Sequence, residues 1–327
     1  MCKLTVKNKV LHIMEENQDT SISGQDLADM LSVSRTAIWK AIKSLKEDGY
    51  IINATSNRGY LLSSSSDVLS SKGIREFLFN EYKNIPIHIY KSVSSTNNEA
   101  KIAILSGAIH RTVIISDEQT NGRGRLGRNF FSPPKSGIYM SIILKPKLNI
   151  TNSVLITTAV AVAVCLCIEK FSDKQAEIKW VNDIYIDNKK VCGILTEAIT
   201  DFESGNVESV VIGIGLNLTT KESSFPPELK AIAGSVLHTD VSFSTRNRIA
   251  SEIINTVLLI CENLEDRSFL EIYKEHSMIL GLNILYKKNG EWIEGYAKDI
   301  DEYGGLIVVL NDGHSVILNS GEITIRT

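Results

Sequence analysis

The sequence predicts a multidomain α/β protein: a small helical unit with a hairpin, a mixed α/β core of enzyme size, and a short all-β ending. Three observations carry this prediction. The 327 residues exceed the usual size of one domain. Apolar spacing is helical at first, then alternates between strand and helix, and finally becomes strand-like throughout. Four turns, Asn289-Gly290, Tyr303-Gly304-Gly305, Asp312-Gly313 and Ser320-Gly321, divide the last segment into five short strands, spaced as in small β-barrels. The run Ser63-Ser64-Ser65-Ser66 is too polar to pack, so boundaries are expected at 1–65, 66–280 and 281–327.

In the first domain, Ser23 followed by Asp26 resembles a capping box, and Leu27, Met30 and Leu31 form an apolar stripe. After a tight turn at Ser32-Val33, Ser34 can cap a second helix. Ile38, Ile42 and Leu45 line one face of that helix, and Gly49 supplies its left-handed stop. The opposite face carries Arg35, Thr36, Trp39, Lys40, Lys43 and Lys46, with no acid before Glu47. Tyr50–Asn53 and Tyr60–Leu62, joined through Asn57-Arg58-Gly59, add a hairpin. Together these features predict a winged helix-turn-helix. Its DNA-facing residues are Ser34, Arg35, Thr36, Trp39, Lys40 and Lys43, with Arg58 on the wing. Helix-turn-helix units also serve as protein-docking modules, but caps, turn, stripe and wing here agree at once.

Composition excludes more than it selects. A net charge of −3 with 43% hydrophobic residues points to no global affinity for nucleic acid or membrane, so any such surface is local. Cys2, Cys165, Cys167, Cys192 and Cys261 lack the spacing of a zinc site and read as reduced thiols of a cytoplasmic protein. No charge occurs from Leu148 to Ile168, but polar residues dilute its first half, so a helix buried in a core is expected there. No membrane partner is expected.

Four elements of the middle segment carry chemistry. Gly122-Arg123-Gly124-Arg125-Leu126-Gly127-Arg128 sets three guanidiniums among three glycines, a pattern suited to gripping carboxylate or phosphate. Taken alone, it equally describes a basic loop. Lys179-Trp180-Val181-Asn182-Asp183 joins a cation, an aromatic and two oxygen ligands at a strand end, which in isolation could be an ordinary core tryptophan beside a turn. Lys190 starts a strand in which Gly193 opens space. From Val211 to Leu218, Gly213, Gly215 and Asn217 share one strand face, against which something flat could lie.

In this order, and over essentially the whole chain, these elements resemble the biotin protein ligases, specifically the bifunctional ligase/repressor class. The loop GRGRxGR is matched without gaps, Ser95-Thr96-Asn97 matches the STN element, and KWPND appears as KWVND, where valine is expected to loosen the turn. The resemblance implies a biotin/lipoate ligase-like catalytic domain followed by an SH3-like β-barrel. It also implies a two-step reaction, in which biotin and MgATP give biotinyl-5′-AMP and a lysine of a biotin carboxyl carrier protein, that of acetyl-CoA carboxylase, then takes the biotinyl group.

Carried over by position, Ser95, Thr96, Asn97 and Gln119 would hold the ureido ring. Arg123, Gly124, Arg125, Lys190 and Gly193 would complete the biotin site. Arg123, Arg125, Arg128, Lys190, Asn217 and Arg326 would hold the nucleotide, with Lys190 and Arg123 catalytic and Asp183 a candidate for magnesium. The resemblance further implies repression at operator DNA by a homodimer formed on adenylate binding. The stretch Thr219–Ser235, which has no periodicity, is expected to be a mobile loop that the adenylate orders. Two alternatives are a ligand-sensing regulator with a decayed core and a lipoate or octanoate ligase. Retention of Arg123, Arg125 and Lys190 speaks against the first, and the GRGRxGR loop against the second.

Overall fold

The computed structural model describes residues 5–17, 20–55, 58–63, 66–145, 153–200, 207–237, 244–288 and 290–325. Cys2, Asn57, Ser64, Ser65, Leu148, Asn289 and Arg326, named above, lie outside these residues. The chain divides into two compact units, residues 1–73 with 239–248, and residues 74–238 with 249–327.

In the first unit, α1 (Val6–Glu16), α2 (Gly24–Leu31) and α3 (Arg35–Glu47) precede the hairpin β1 (Ile52–Thr55) and β2 (Gly59–Leu62). The caps form as their chemistry requires: Ser23 Oγ accepts from Asp26 N at 3.0 Å, and Ser34 Oγ from Ala37 N at 3.2 Å. Ser32, at φ 52°, closes α2 in the left-handed region. Val10, Met14, Leu27, Ile38, Ile42 and Leu45 are buried in one core, each contributing about 1.5–3 kcal/mol by leaving water. The hairpin is tied down where Ile22 and Tyr60 exchange backbone hydrogen bonds of 2.9 and 2.8 Å. That approach requires glycine at 59, where φ is +95° and a Cβ would lie 2.1 Å from Ile22 O.

The second unit holds a seven-stranded mixed sheet, ordered β3-β4-β5-β9-β8-β7-β6. Its strands are β3 (Ile87–Tyr90), β4 (Thr112–Ser116), β5 (Gly137–Leu144), β6 (Glu177–Lys179), β7 (Asp183–Ile186), β8 (Lys189–Thr200) and β9 (Val207–Asn217). Helix α5 (Thr96–Leu105) packs on β4, β5 and β9, while α6 (Ser153–Phe171) packs on β8 and α8 (Ser268–Glu275). The short α4 (Ser71–Phe77) and the long α7 (Thr245–Cys261) complete the helices. The apolar run expected to be a core helix is α6. It is long and apolar enough to cross a membrane by composition, yet 78% of that window is buried within the protein. The last segment forms an antiparallel sheet, ordered β13-β12-β11-β10-β14, from β10 (Asn283–Lys288), β11 (Glu291–Ile300), β12 (Leu306–Val309), β13 (Ser315–Leu318) and β14 (Ile323–Ile325).

Cys165, Cys167, Cys192 and Cys261 are free and buried, and burial pushes each thiol up, Cys261 to about 12. Burial also raises Tyr82 and Tyr185 to about 12. Each group binds its proton more tightly folded than unfolded, so stability is full below the unfolded value, 9.0 for Cys and 10.0 for Tyr, and is lost as pH rises beyond it. The melting temperature is therefore expected to fall progressively above about pH 9. Scanning calorimetry across the alkaline range checks this, and a flat profile would refute it.

Candidate active site and nucleic-acid face

One cavity of about 470 Å³ in the second unit collects most of the residues singled out in its sequence. Ser95, Thr96, Asn97, Gln119, Arg123, Gly124, Arg125, Arg128, Asp183, Lys190, Gly193 and Asn217 all line it.

Its polar end is built at the start of α5. Ser95 sits at the N-cap, but its hydroxyl makes no capping bond and is left for other use. Gln119 Oε1 accepts from Thr96 N at 2.8 Å, which turns the Gln119 amide nitrogen toward Ser132 Oγ at 2.9 Å. Asn97 is buried and engaged on both sides: Ser141 Oγ donates to its Oδ1 at 2.6 Å, and its Nδ2 donates to Glu197 Oε2 at 2.8 Å.

The glycine face of β9 does receive flat groups, and both belong to the chain itself. A Cβ on Gly213 would lie 2.3 Å from Asn97 Oδ1, and one on Gly215 would lie 2.6 Å from the Phe130 ring. Gly213→Ala must therefore displace a buried, fully bonded side chain, and a loss of about 1–3 kcal/mol is expected in urea unfolding. An unchanged midpoint would contradict that packing.

The arginine loop is a tight, self-bonded excursion. Gly124 N donates to Arg128 O at 2.7 Å, and Leu126 and Gly127 take φ values of 56° and 75° at its tip. Leu126 is 71% exposed. Arg125 points inward and donates to Asn182 Oδ1 at 2.9 Å; burial pulls its guanidinium below the ordinary value, and the charge of Asp183 opposes that fall. Arg123 and Arg128 are exposed, and Arg128 pairs with Glu322 of the C-terminal sheet.

Lys190 reaches this face through a bulge. The pairing of β7 with β8 slips between Ile184 and Tyr185, so that Asp183 faces Gly193 while Tyr185 faces Lys190. Without the extra residue Val191, Lys190 and Gly193 would point to opposite faces. Lys190 Nζ lies 2.6 Å from Asp183 Oδ1, and a Cβ on Gly193 would sit 3.3 Å from that nitrogen. Asn182 Nδ2 also donates to Asp183 Oδ1, at 3.0 Å. Lys179 is half-buried, and desolvation lowers its ammonium despite the nearby Asp183. The turn expected to be loosened by Val181 is instead buried, with a cis Trp180–Val181 peptide and with Trp180 Nε1 donating to Gly304 O at 3.0 Å.

The segment expected to be a mobile loop is seated at the cavity wall. Lys190 N donates to Ile232 O at 2.8 Å, Gly234 N to Lys190 O at 2.9 Å, and Val236 N to Asn217 O at 3.1 Å, while Phe225 is buried against Phe131. Pro226, Pro227 and Gly234 erase any periodicity in the sequence, yet backbone groups still find partners on strand ends. Ser132, Ser141, Glu197 and Phe130 escaped individual notice. Ser141 carries a sequence signal nonetheless, since it is a polar residue inside an otherwise apolar strand.

In the first unit, Ser34, Arg35, Thr36, Trp39, Lys40, Lys43 and Arg58 are all exposed. Arg35, Thr36 and Trp39 line one open groove with Ala54, Thr55 and Tyr60 of the hairpin. Trp39 is 54% exposed, with Lys43 Nζ 5.7 Å from its ring. Exposed cations on one helix face are suited to phosphate contacts.

Comparison with known proteins finds matches to three segments of the chain. Residues 89–217 match the biotin/lipoate A/B protein ligase family, residues 6–61 an HTH domain, and residues 281–326 the biotin protein ligase C-terminal domain. The chain is 32% identical over 317 residues to the bifunctional ligase/repressor BirA of Bacillus subtilis, covering 94% of this chain and 95% of that one. It is 24% identical to BirA of Escherichia coli, with 93% of each covered. Among solved structures, a biotin protein ligase from Aquifex aeolicus in complex with biotin and ATP aligns at a TM-score of 0.62 and 25% identity, over 74% of this chain and 98% of that one.

Proposed function

The chain belongs to the biotin protein ligase family in its bifunctional ligase/repressor form, and from that premise we propose that the 470 Å³ cavity is where biotin and ATP are joined. The observation that carries this reading is the opening of a neutral polar cluster and a set of cations into one space. Ser95, Thr96 and Gln119 supply neutral donors and acceptors, as a ureido ring needs, and Arg123, Arg125 and Lys190 supply positive charge.

The physical difficulty of the first step is that both reactants are anions. A carboxylate and an α-phosphate oxygen 4 Å apart repel by about 4 kcal/mol at an effective dielectric constant of about 20. Lys190, with Arg123 and Arg125 above it, reverses the sign of that interaction while the carboxylate oxygen bonds to phosphorus and pyrophosphate departs. In the second step the amine of an acceptor lysine attacks the acyl carbon, loses a proton to form the amide, and AMP leaves. Lys190 has three N–H donors, so it can keep Asp183 while it engages the ligand.

Two features fit the nucleotide. Asn217 Oδ1 is a buried acceptor with no hydrogen-bond partner among the described residues, and an amine or hydroxyl of ATP would satisfy it. Asp183 spends Oδ1 on Lys190 and Asn182, which leaves Oδ2 as the single carboxylate oxygen that a phosphate-bound magnesium ion would take. The roles of Gly124, Gly193 and Arg128 follow from their places at the cavity. Arg326 remains a candidate from resemblance only.

We further infer that residues 1–65, 66–280 and 281–327 act as DNA-binding, ligating and closing domains of a cytoplasmic protein. The acceptor is a biotin carboxyl carrier protein, and adenylate binding favours a homodimer that matches a two-fold operator. Incubating the protein with MgATP, biotin and an isolated acceptor domain tests the central claim. A mass gain of one biotinyl group on the acceptor is expected with biotin and none with lipoate; no gain would reject the reading.

A further inference from the structure

We propose that Glu197 is a positioning residue that sets the hydrogen-bond polarity of the ureido cluster through Asn97, and that Asn97 is a buttress rather than a ligand contact. The proposal rests on the reading of the cavity as a biotin site.

The argument follows the protons. Glu197 is on β8, and its two oxygens take Asn97 Nδ2 at 2.8 Å and Lys101 Nζ at 2.7 Å. Lys101 lies four residues after Asn97 on α5, so one helical turn delivers both donors to the same carboxylate. Burial alone would raise the Glu197 carboxyl, but these two hydrogen bonds and the nearby charges of Lys101 and Arg123 hold it below the ordinary value. An ionised carboxylate only accepts, so the amide nitrogen of Asn97 must face it. The second proton of that nitrogen goes to Leu195 O at 3.3 Å.

With its nitrogen held there, Asn97 must present Oδ1 to Ser141, whose single hydroxyl proton is thereby used at 2.6 Å. Ser141 Oγ, 2.8 Å from Thr96 Oγ1, is left as an acceptor, and Gln119 Oε1 at 3.2 Å is another. The Thr96 proton is thus spent within the protein, and its lone pair is presented to the cavity as an acceptor. An N–H of a ureido ring is the complementary group. Gly213 permits the arrangement, because any side chain there would unseat Asn97.

If position 197 also carried a donor, the Asn97 amide could turn over, giving up its 3.3 Å bond to Leu195 O. Its nitrogen would then donate to Ser141 and Ser141 to Thr96, so that a Thr96 lone pair would be spent on Ser141 and the cluster would present one acceptor site fewer to the ligand. The same reversal makes a specific repair available. In N97D/E197Q the carboxylate and the amide exchange places, so an acceptor again faces Ser141 and a donor again comes from residue 197.

The test uses the full chain and measures biotin affinity by calorimetry, KM for ATP, and thermal stability. E197Q is expected to weaken biotin binding by about tenfold to hundredfold, the cost of a mismatched buried hydrogen bond, with KM for ATP unchanged. N97D/E197Q is expected to bind biotin within about fivefold of wild type. A merely structural role would lower stability in E197Q without this recovery. The proposal is overturned if E197Q binds within about fivefold of wild type, or if the double variant is weaker than that limit. Should E197Q not fold, the double variant decides by the same limit. A wild-type protein that does not bind biotin rejects the reading of the cavity, and the proposal with it, whereas intact binding with an indifferent E197Q rejects the proposal only.

Discussion

Lys190→Ala is expected to slow adenylate formation by about 10²–10³-fold while leaving operator binding by adenylate-loaded protein intact. The ammonium lies in the cavity wall, held 2.6 Å from Asp183 and folded over Gly193. Removing it deletes a preorganised charge at the point where both reactants are negative. It also leaves the Asp183 carboxylate without its partner beside an incoming phosphate, which adds repulsion to the lost attraction. Arginine is a poor substitute. Its planar fork is broader than an ammonium, and the space over Gly193 is already filled to 3.3 Å by the lysine itself. Biotin-dependent exchange of pyrophosphate into ATP measures the step, and a gel-shift assay with pre-loaded protein measures the other activity. Equal turnover of wild type and variant would remove Lys190 from the mechanism.

The second large effect is expected on DNA. Reversing two charges of α3, in K40E/K43E, should weaken operator binding on the order of 10²-fold or more at physiological salt, with ligation unchanged. Both lysines are exposed on the face opposite Ile38, Ile42 and Leu45, so neither contributes to the core whose loss would unfold the unit. Lys43 has a long 4.0 Å contact with Glu47 and lies 5.7 Å from the Trp39 ring, both on the surface, and the reversal breaks little within the protein. Each phosphate contact contributes about 0.9 to the slope of log affinity against log salt, so that slope should shrink by about 2 in magnitude. Titrations at several salt concentrations read both quantities. Unaltered affinity together with an unaltered slope would mean that this face does not meet DNA.

Much of the chain is legible without its tertiary structure because the relevant forces are local. The three helices and hairpin of the first unit follow from caps, apolar spacing and left-handed glycines, all of which act within a few residues. The five C-terminal strands follow from their turns. The loop Gly122–Arg128 is recognisable because its chemistry is concentrated in one contiguous run. Even so, the loop's direction is not in the sequence: only Arg125 of its three guanidiniums is drawn inward, where Asn182 can receive it.

What the tertiary structure decided are the partnerships between distant strands. Strand alternation would place Lys190 and Gly193 on opposite faces, and the bulge at Val191, set by pairing with β7, brings them together. Asn97, which reads as a ligand-binding residue, has its amide engaged on both sides by Ser141 of β5 and Glu197 of β8. The glycine face of β9 reads as open until Phe130 and Asn97 are seen resting on it. The stretch Thr219–Ser235, formless in sequence, is held by strand ends that only the folded sheet brings near. In each case the deciding bond joins residues set apart by strand register or chain crossing, and neither helical nor strand periodicity encodes such a pairing. The sequence by itself determined which chemistry is present and the elements that carry it. The packed sheet determined which groups are spent on one another and which are left for the ligands.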